Sequence, residues 1–256
     1  MSGQLILEWP NEKVCILRLN RPEKYNALSR TLVDELRTAV TELSETKAKV
    51  LVLAANGRGF CVGADLKERK EMSDEEKYDH NRSISGLADD IAASGLPTIA
   101  AINGVAMGGG CELALACDLR FASQEASIGL TEARLGAIAG AGGTQRLPRL
   151  VGTARALEMM YSGEPISSEK ALDWGLINGI YNSNELDQCV LKFADLLGSR
   201  SRRASALLKK VVYDGLDYSL ADGLELERVA VSEVLASEDY AEGLAAFAEK
   251  RAPVFE

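Results

Sequence analysis

At 256 residues, with 46 % hydrophobic and 26 % charged side chains, the chain is long enough to bury a substantial core without disulfides, and its composition is not that of a disordered protein. A net charge of −9 disfavours sequence-independent binding to nucleic acid. Five cysteines (Cys15, Cys61, Cys111, Cys117 and Cys189), scattered, odd in number and without CxxC spacing, point to a reducing compartment and offer no zinc site.

The N-terminal "MSGQLILEWPNEK" has an apolar stretch too short for a signal sequence and no basic lead, and no apolar run reaches membrane length. A cytoplasmic protein without a membrane span is expected. Residues 4 to 9 and 13 to 20 read as a β-hairpin, broken at Pro22 and Asn26. In "SRTLVDELRTAVTELSE" the apolar Leu32, Leu36, Val40 and Leu43 share one helical face behind Ser29, a fitting N-cap. The strand "KVLVLAA" follows. Strand "PTIAAING", a helix over 109 to 117 and strand "DLRFA" then alternate as β, α, β, which predicts parallel strands joined by right-handed crossovers. From about residue 144 the one strand-like piece is "GLINGIY", and the rest reads as helices. No repeat or linker marks an independent second domain. The expected division is an α/β core over residues 1–195 and a helical layer over 196–256, packed on the core or on a neighbouring subunit.

One histidine, His80, lies in the polar run "DEEKYDHNRS" and reads as part of a solvated helix face, so a Ser-His-Asp triad is disfavoured. The glycines of "GAIAGAGGTQR" match neither a Walker loop nor GxGxxG. Two other glycine-rich turns run into helix starts, in "GRGFCVGADLKER" and "GVAMGGGCELA". Free backbone N–H groups there can hold an anion or a developing oxyanion, and glycine lets a ligand approach the backbone closely.

Glu112 stands inside the apolar run from Cys111 to Cys117, with no Lys or Arg before Arg120. A buried carboxylate costs several kcal/mol unless it is paired or neutralised, so its presence asks for a reason. A core defect, a subunit contact and chemistry are the three available. Glu132, in "ASIGLTEARLGAIAGAGG", is open between opening a short helix after Thr131 and taking part in the same chemistry.

The runs "LNRPEKYNAL", "GFCVGADLKE", "PTIAAINGVAMGGGCELALACDLRFA" and "GAGGTQRLPRLVG", in this order and spacing, resemble the crotonase family of enoyl-CoA hydratases and isomerases over essentially the whole chain. "GADLKER", "ELALACDLR" and "GGTQRLPR" most resemble its 3-methylglutaconyl-CoA hydratase branch, some of whose members also bind AU-rich RNA. The resemblance implies a spiral of ββα turns with a helical C-terminal layer used in trimerisation, and a trimer or dimer of trimers. It places an oxyanion hole on the N–H groups of Ala64 and Gly109 and the catalytic carboxyls on Glu112, mainly as base toward water, and Glu132, mainly as acid toward the α-carbon. Gly140 is placed to orient the water. Coenzyme A, part of the acyl-CoA substrate rather than a separate cofactor, is expected on Ala64, Asp65, Leu66 and Lys67, with Phe247 and Lys250 completing the pocket; no metal is implied. Lys67 by itself reads as a solvated lysine. Ala139 stands where the family usually has proline. Two carboxylates favour water addition over double-bond isomerisation. RNA binding is disfavoured, because the helix "SRTLVDELRTAVTELSETKAK" mixes acids with its bases.

Overall fold

The computed structural model describes residues 2–255. Strands β1 (Leu5–Asn11) and β2 (Val14–Leu19) form the expected antiparallel hairpin. Helix α1 (Arg30–Glu42) follows, its Ser29 side chain accepting the Leu32 N–H and its Leu32, Val33, Leu36, Ala39 and Val40 buried. Next come β3 (Val50–Ala55), β4 (Gly59–Cys61), the short α2 (Leu66–Lys70) and α3 (Asp74–Ala93). A second turn has β5 (Thr98–Ile102), β6 (Val105–Met107) and α4 (Gly109–Ala116). A third has β7 (Leu119–Ser123), β8 (Ser127–Gly129), a 3-10 turn over Glu132–Leu135, α5 (Gly143–Val151) and α6 (Thr153–Ser162).

Each turn gives one strand to each of two sheets. The larger has the order β1-β2-β3-β5-β7 and closes with β10 (Gly179–Tyr181); from β2 onward its neighbours are parallel. The smaller runs β4-β6-β8 in parallel and closes with β9 (Ile166–Ser167), which is antiparallel to β8. Between β9 and β10 lies α7 (Ser168–Asp173). This is the α/β spiral of ββα turns. β9 corrects the expectation that "GLINGIY" is the sole strand after residue 144: two residues carry no period for a sequence to display.

Helix α8 (Leu186–Gly198) covers the larger sheet with Leu186, Val190 and Ala194, so the division expected at residue 195 falls within it. Beyond it, α9 (Arg202–Gly215) and α10 (Leu220–Leu235) bury no residue fully, and α11 (Glu238–Glu249) buries only Ala246.

The reading of His80 as a solvated residue is wrong, for it is 3 % exposed. Its place in α3 explains this: His80, Ile84, Leu87, Ala88 and Ile91 form one buried stripe at helical spacing, and the polar neighbours occupy the other faces. Burial holds its pKa below the usual imidazole value, with the Arg69 charge acting in the same direction.

Candidate active site

Two loops meet where the spiral leaves a gap between sheet and helices. After β4, Gly63 takes φ +81, and a Cβ there would stand 2.9 Å from the Gly109 nitrogen, so only glycine permits the approach. The pair joins Ala64 on one loop to Gly109 at the start of α4. Among the described residues, neither the Ala64 nor the Gly109 N–H donates to another protein group. Leu28 fixes the first loop from both sides, donating to the Gly63 carbonyl at 2.8 Å and accepting the Asp65 N–H at 3.0 Å. The outcome is two unspent donors side by side, one of them at a helix N-terminus.

Glu112 lies one turn into α4 and is 3 % exposed. What replaces the missing cation is backbone: Oε1 accepts the N–H groups of Ala141 at 2.6 Å and Gly143 at 2.8 Å. Burial nonetheless raises its pKa above the usual carboxyl range, against the opposing pull of the Gly143, Ala141 and Gly140 amides.

Glu132 opens the 3-10 turn after Thr131, the helix-start alternative read from the sequence. Its Oε1 faces α4's entry, where a Cβ on Gly108 would stand 3.2 Å away. Its Oε2 is buried without a hydrogen-bond partner. Burial raises its pKa too, and the charge of Glu112 adds to the rise. Two carboxyls that each resist ionisation, and resist it more together, can hold one proton between them.

The remaining expected positions are spread more widely. Asp65 caps α2 through the Lys67 and Glu68 N–H groups, and its carboxylate is buried against Arg21 at 3.0 Å and Lys24 at 3.4 Å. Burial pushes this carboxyl up, but the Arg21 hydrogen bond, the Glu68 N–H and the Lys24 charge outweigh it and hold the pKa below the usual value. Its side chain therefore serves the loop, as does its backbone, whose N–H donates to the Leu28 carbonyl and whose carbonyl accepts the Arg69 N–H. Leu66 and Lys67 are exposed beside it, and the Lys67 ammonium takes part in no ion pair among the described residues. Phe247, 86 % exposed, and Lys250, with φ +56, lie at the end of α11 and form no hydrogen bond or ion pair with the other site residues.

Three residues with no role assigned from sequence hold this geometry. Arg21 ties the Ala27 carbonyl to Asp65, fixing the segment that supports Ala64. Arg146 donates to the Ala141 carbonyl at 2.9 Å and to Asp89 at 2.8 Å, bracing the loop that binds Glu112. Arg120, 5 % exposed, donates to the carbonyls of Ala114, Cys117 and Leu176 and so caps the far end of α4. The motifs "LNRPEKYNAL", "GGTQRLPR" and "CDLR" carry them, and their partners are mostly carbonyls that no side-chain pattern announces.

A ββα spiral with paired free amides beside two high-pKa carboxyls defines a protein built to receive a carbonyl compound and move protons next to it. The sequence model described as Enoyl-CoA hydratase/isomerase matches residues 10–256. The chain belongs to this enoyl-CoA hydratase/isomerase, or crotonase, family. It is 40 % identical over 255 residues to the mouse protein named enoyl-CoA hydratase domain-containing protein 2, mitochondrial, covering 97 % of this chain and 86 % of that one. It is 39 % identical to mouse methylglutaconyl-CoA hydratase, mitochondrial, covering 96 % of this chain and 81 % of that one. The crystal structure of an enoyl-CoA hydratase from Bacillus anthracis superposes with a TM-score of 0.97 at 39 % identity, over 98 % of each chain. Among the described residues no helix is long and apolar enough to cross a membrane.

Proposed function

We propose that the protein catalyses reversible addition of water across the 2,3 double bond of an enoyl-CoA thioester. The observation that carries this is the pair of raised-pKa carboxyls, the buried Glu112 and the half-buried Glu132, together with the unspent N–H groups of Ala64 and Gly109. The thioester oxygen accepts both N–H groups. Glu112, as carboxylate, takes a proton from water while the water oxygen bonds to the β-carbon and the double-bond electrons move onto the thioester as an enolate. The two amides are worth about 10² to 10³ in rate each, because they meet the charge where it develops. Glu132, as carboxylic acid, then gives its proton to the α-carbon. Turnover leaves Glu112 protonated and Glu132 ionised, and exchange with solvent restores the pair.

The coenzyme A portion runs over the backbone of Ala64 and Asp65, past Leu66, with Lys67 meeting its phosphate. Phe247 and Lys250 complete this pocket from a neighbouring subunit, in a trimer or dimer of trimers assembled through the helical layer. Helices α9 and α10, which bury no residue fully, support that assembly, since their exposed Leu208, Leu220 and Val229 would otherwise face water. A cytoplasmic, reducing setting is supported by free thiols, four of the five being buried.

The test follows enoyl absorbance with 2-enoyl-CoA and isomerisation with 3-enoyl-CoA of the same chain. Hydration should exceed isomerisation by orders of magnitude, because only hydration needs a second carboxyl to activate water. Isomerisation outrunning hydration at every chain length would make the protein an isomerase.

A further inference from the structure

Beside Glu132 lies a cavity of about 330 Å³ walled by Leu130, Ala137, Ala139, Leu157 and Met160. Neither Ala64, Gly109 nor the 65–67 segment lines it, and of the two carboxyls only Glu132 does, so it opens on the Glu132 side of the site. The cavity thus meets the described site at Glu132, the carboxyl read as serving the α-carbon. No lysine, arginine or histidine lines the space; its polar members are Glu132, Thr144 and Tyr161. The two nearby arginines are engaged elsewhere, Arg134 with Glu164 and Arg146 with Asp89 and the Ala141 carbonyl. Ala139 contributes a small wall where the family more often has a proline ring.

We infer that this cavity receives the acyl chain beyond the β-carbon and selects uncharged aliphatic chains of medium length over short chains that end in a carboxylate. The inference rests on the hydratase reading for the direction of the substrate. Its volume holds on the order of ten water-sized groups, roughly a chain of six to ten carbons. Each methylene taken from water favours binding by about fourfold. A terminal carboxylate placed here loses its hydration and finds no cation. A longer chain can pass out beside Ile138 and Tyr161, which are 81 % and 77 % exposed, so exclusion is confined to acids short enough to end inside.

The experiment compares kcat/KM for 2-butenoyl-, 2-hexenoyl- and 2-octenoyl-CoA with that for five-carbon 2-enoyl-CoA thioesters ending in a carboxylate, with and without a 3-methyl group. In parallel, calorimetry measures the affinity of saturated hexanoyl- and glutaryl-CoA. The expected result is a rise from butenoyl to octenoyl, with the carboxylated substrates at least about 100-fold below hexenoyl and glutaryl-CoA binding more weakly than hexanoyl-CoA. Met160→Lys, which offers a cation from a half-buried position, should shift the preference toward the carboxylated substrate by about tenfold or more. Carboxylated and neutral substrates hydrated equally well, or glutaryl- and hexanoyl-CoA bound equally, would overturn the inference. Absence of hydration with the binding preference intact would instead overturn the hydratase reading and leave the cavity's selectivity standing.

Discussion

Glu112 and Glu132 are presented by opposite kinds of structure. The first is inside a buried helix, with both of its close donors on Oε1. The second sits on a 3-10 turn whose following residues, from Ala133 to Ile138, are exposed, and one of its oxygens has no partner. A carboxyl held at two points has a fixed position, which suits the alignment of a small, freely tumbling water molecule. One carried by an exposed turn can follow the α-carbon as the substrate settles. Under the proposed reaction, the difference suits two identical side chains to separate duties.

The largest effects come from the carboxyls themselves. Glu112→Gln and Glu132→Gln are each expected to lower kcat by about 10² to 10⁴ with KM changed only a few-fold, as steady-state hydration kinetics would report. Shortening by one methylene tells the two apart. Glu112→Asp pulls its carboxylate away from amides that cannot follow and should lose about 10² in kcat, whereas Glu132→Asp rides on a turn that can shift and should lose nearer 10-fold. Equal losses for the two aspartate variants would break the contrast between a fixed and a mobile group.

Glycines that flank each carboxyl give a smaller, sharper comparison. A Cβ on Gly143 would stand 3.0 Å from Glu112 Oε1 and 2.9 Å from Leu130 Cδ1. Gly143→Ala should therefore displace the carboxylate and lower kcat by about tenfold. In the Glu132 turn, Gly136 has φ +68 and open space around it. Gly136→Ala is expected to cost about 1 kcal/mol in backbone strain, read by denaturant unfolding, with kcat within twofold of wild type. Activity lost at Gly136 and kept at Gly143 would reverse the assignment of which region is rigid.

What the sequence made legible follows the same physical line. Glu112 stood out because a carboxylate in "GGGCELALAC" contradicts its surroundings, and the glycine turns beside it could be read as donors without knowing their partners. Long periodic elements such as α1 and β3 were equally plain. The three-residue strands β4, β6 and β8 are too short to show alternation and read as loops, although they bring Ala64, Gly109 and Glu132 together. Asp65 gave no sign that its carboxylate would turn inward to Arg21, 44 residues away. His80 was misread because composition averages over all faces of a helix, while burial selects one. The 3-10 turn at Glu132 was half legible: Thr131 suggested a helix start, but nothing local revealed that the carboxyl folds back toward Gly108.

The smallest expected effect is on stability, and its dependence on pH separates the two carboxyls once more. Both have a folded-state pKa raised above that of the unfolded chain, where a glutamate titrates at 4.5. Below that value each is protonated whether folded or not and contributes nothing to the pH dependence. As pH rises from there through the folded pKa, the unfolded chain gives up its proton first. Stability then falls, and the penalty is complete above the folded pKa. Glutamine carries no such penalty. At Glu132 the substitution removes a charge whose Oε2 has no donor to lose, so Glu132→Gln should raise Tm by a few degrees near pH 8, with the gain vanishing near pH 4. At Glu112 the same removal of charge also weakens the bonds from Ala141 and Gly143, so the gain near pH 8 should be smaller or absent. Calorimetric Tm values for wild type and both variants across that range check this. A Glu132→Gln gain that is flat with pH would mean that its carboxyl is not held protonated by the fold, and Glu132 would then lose its standing as the acid.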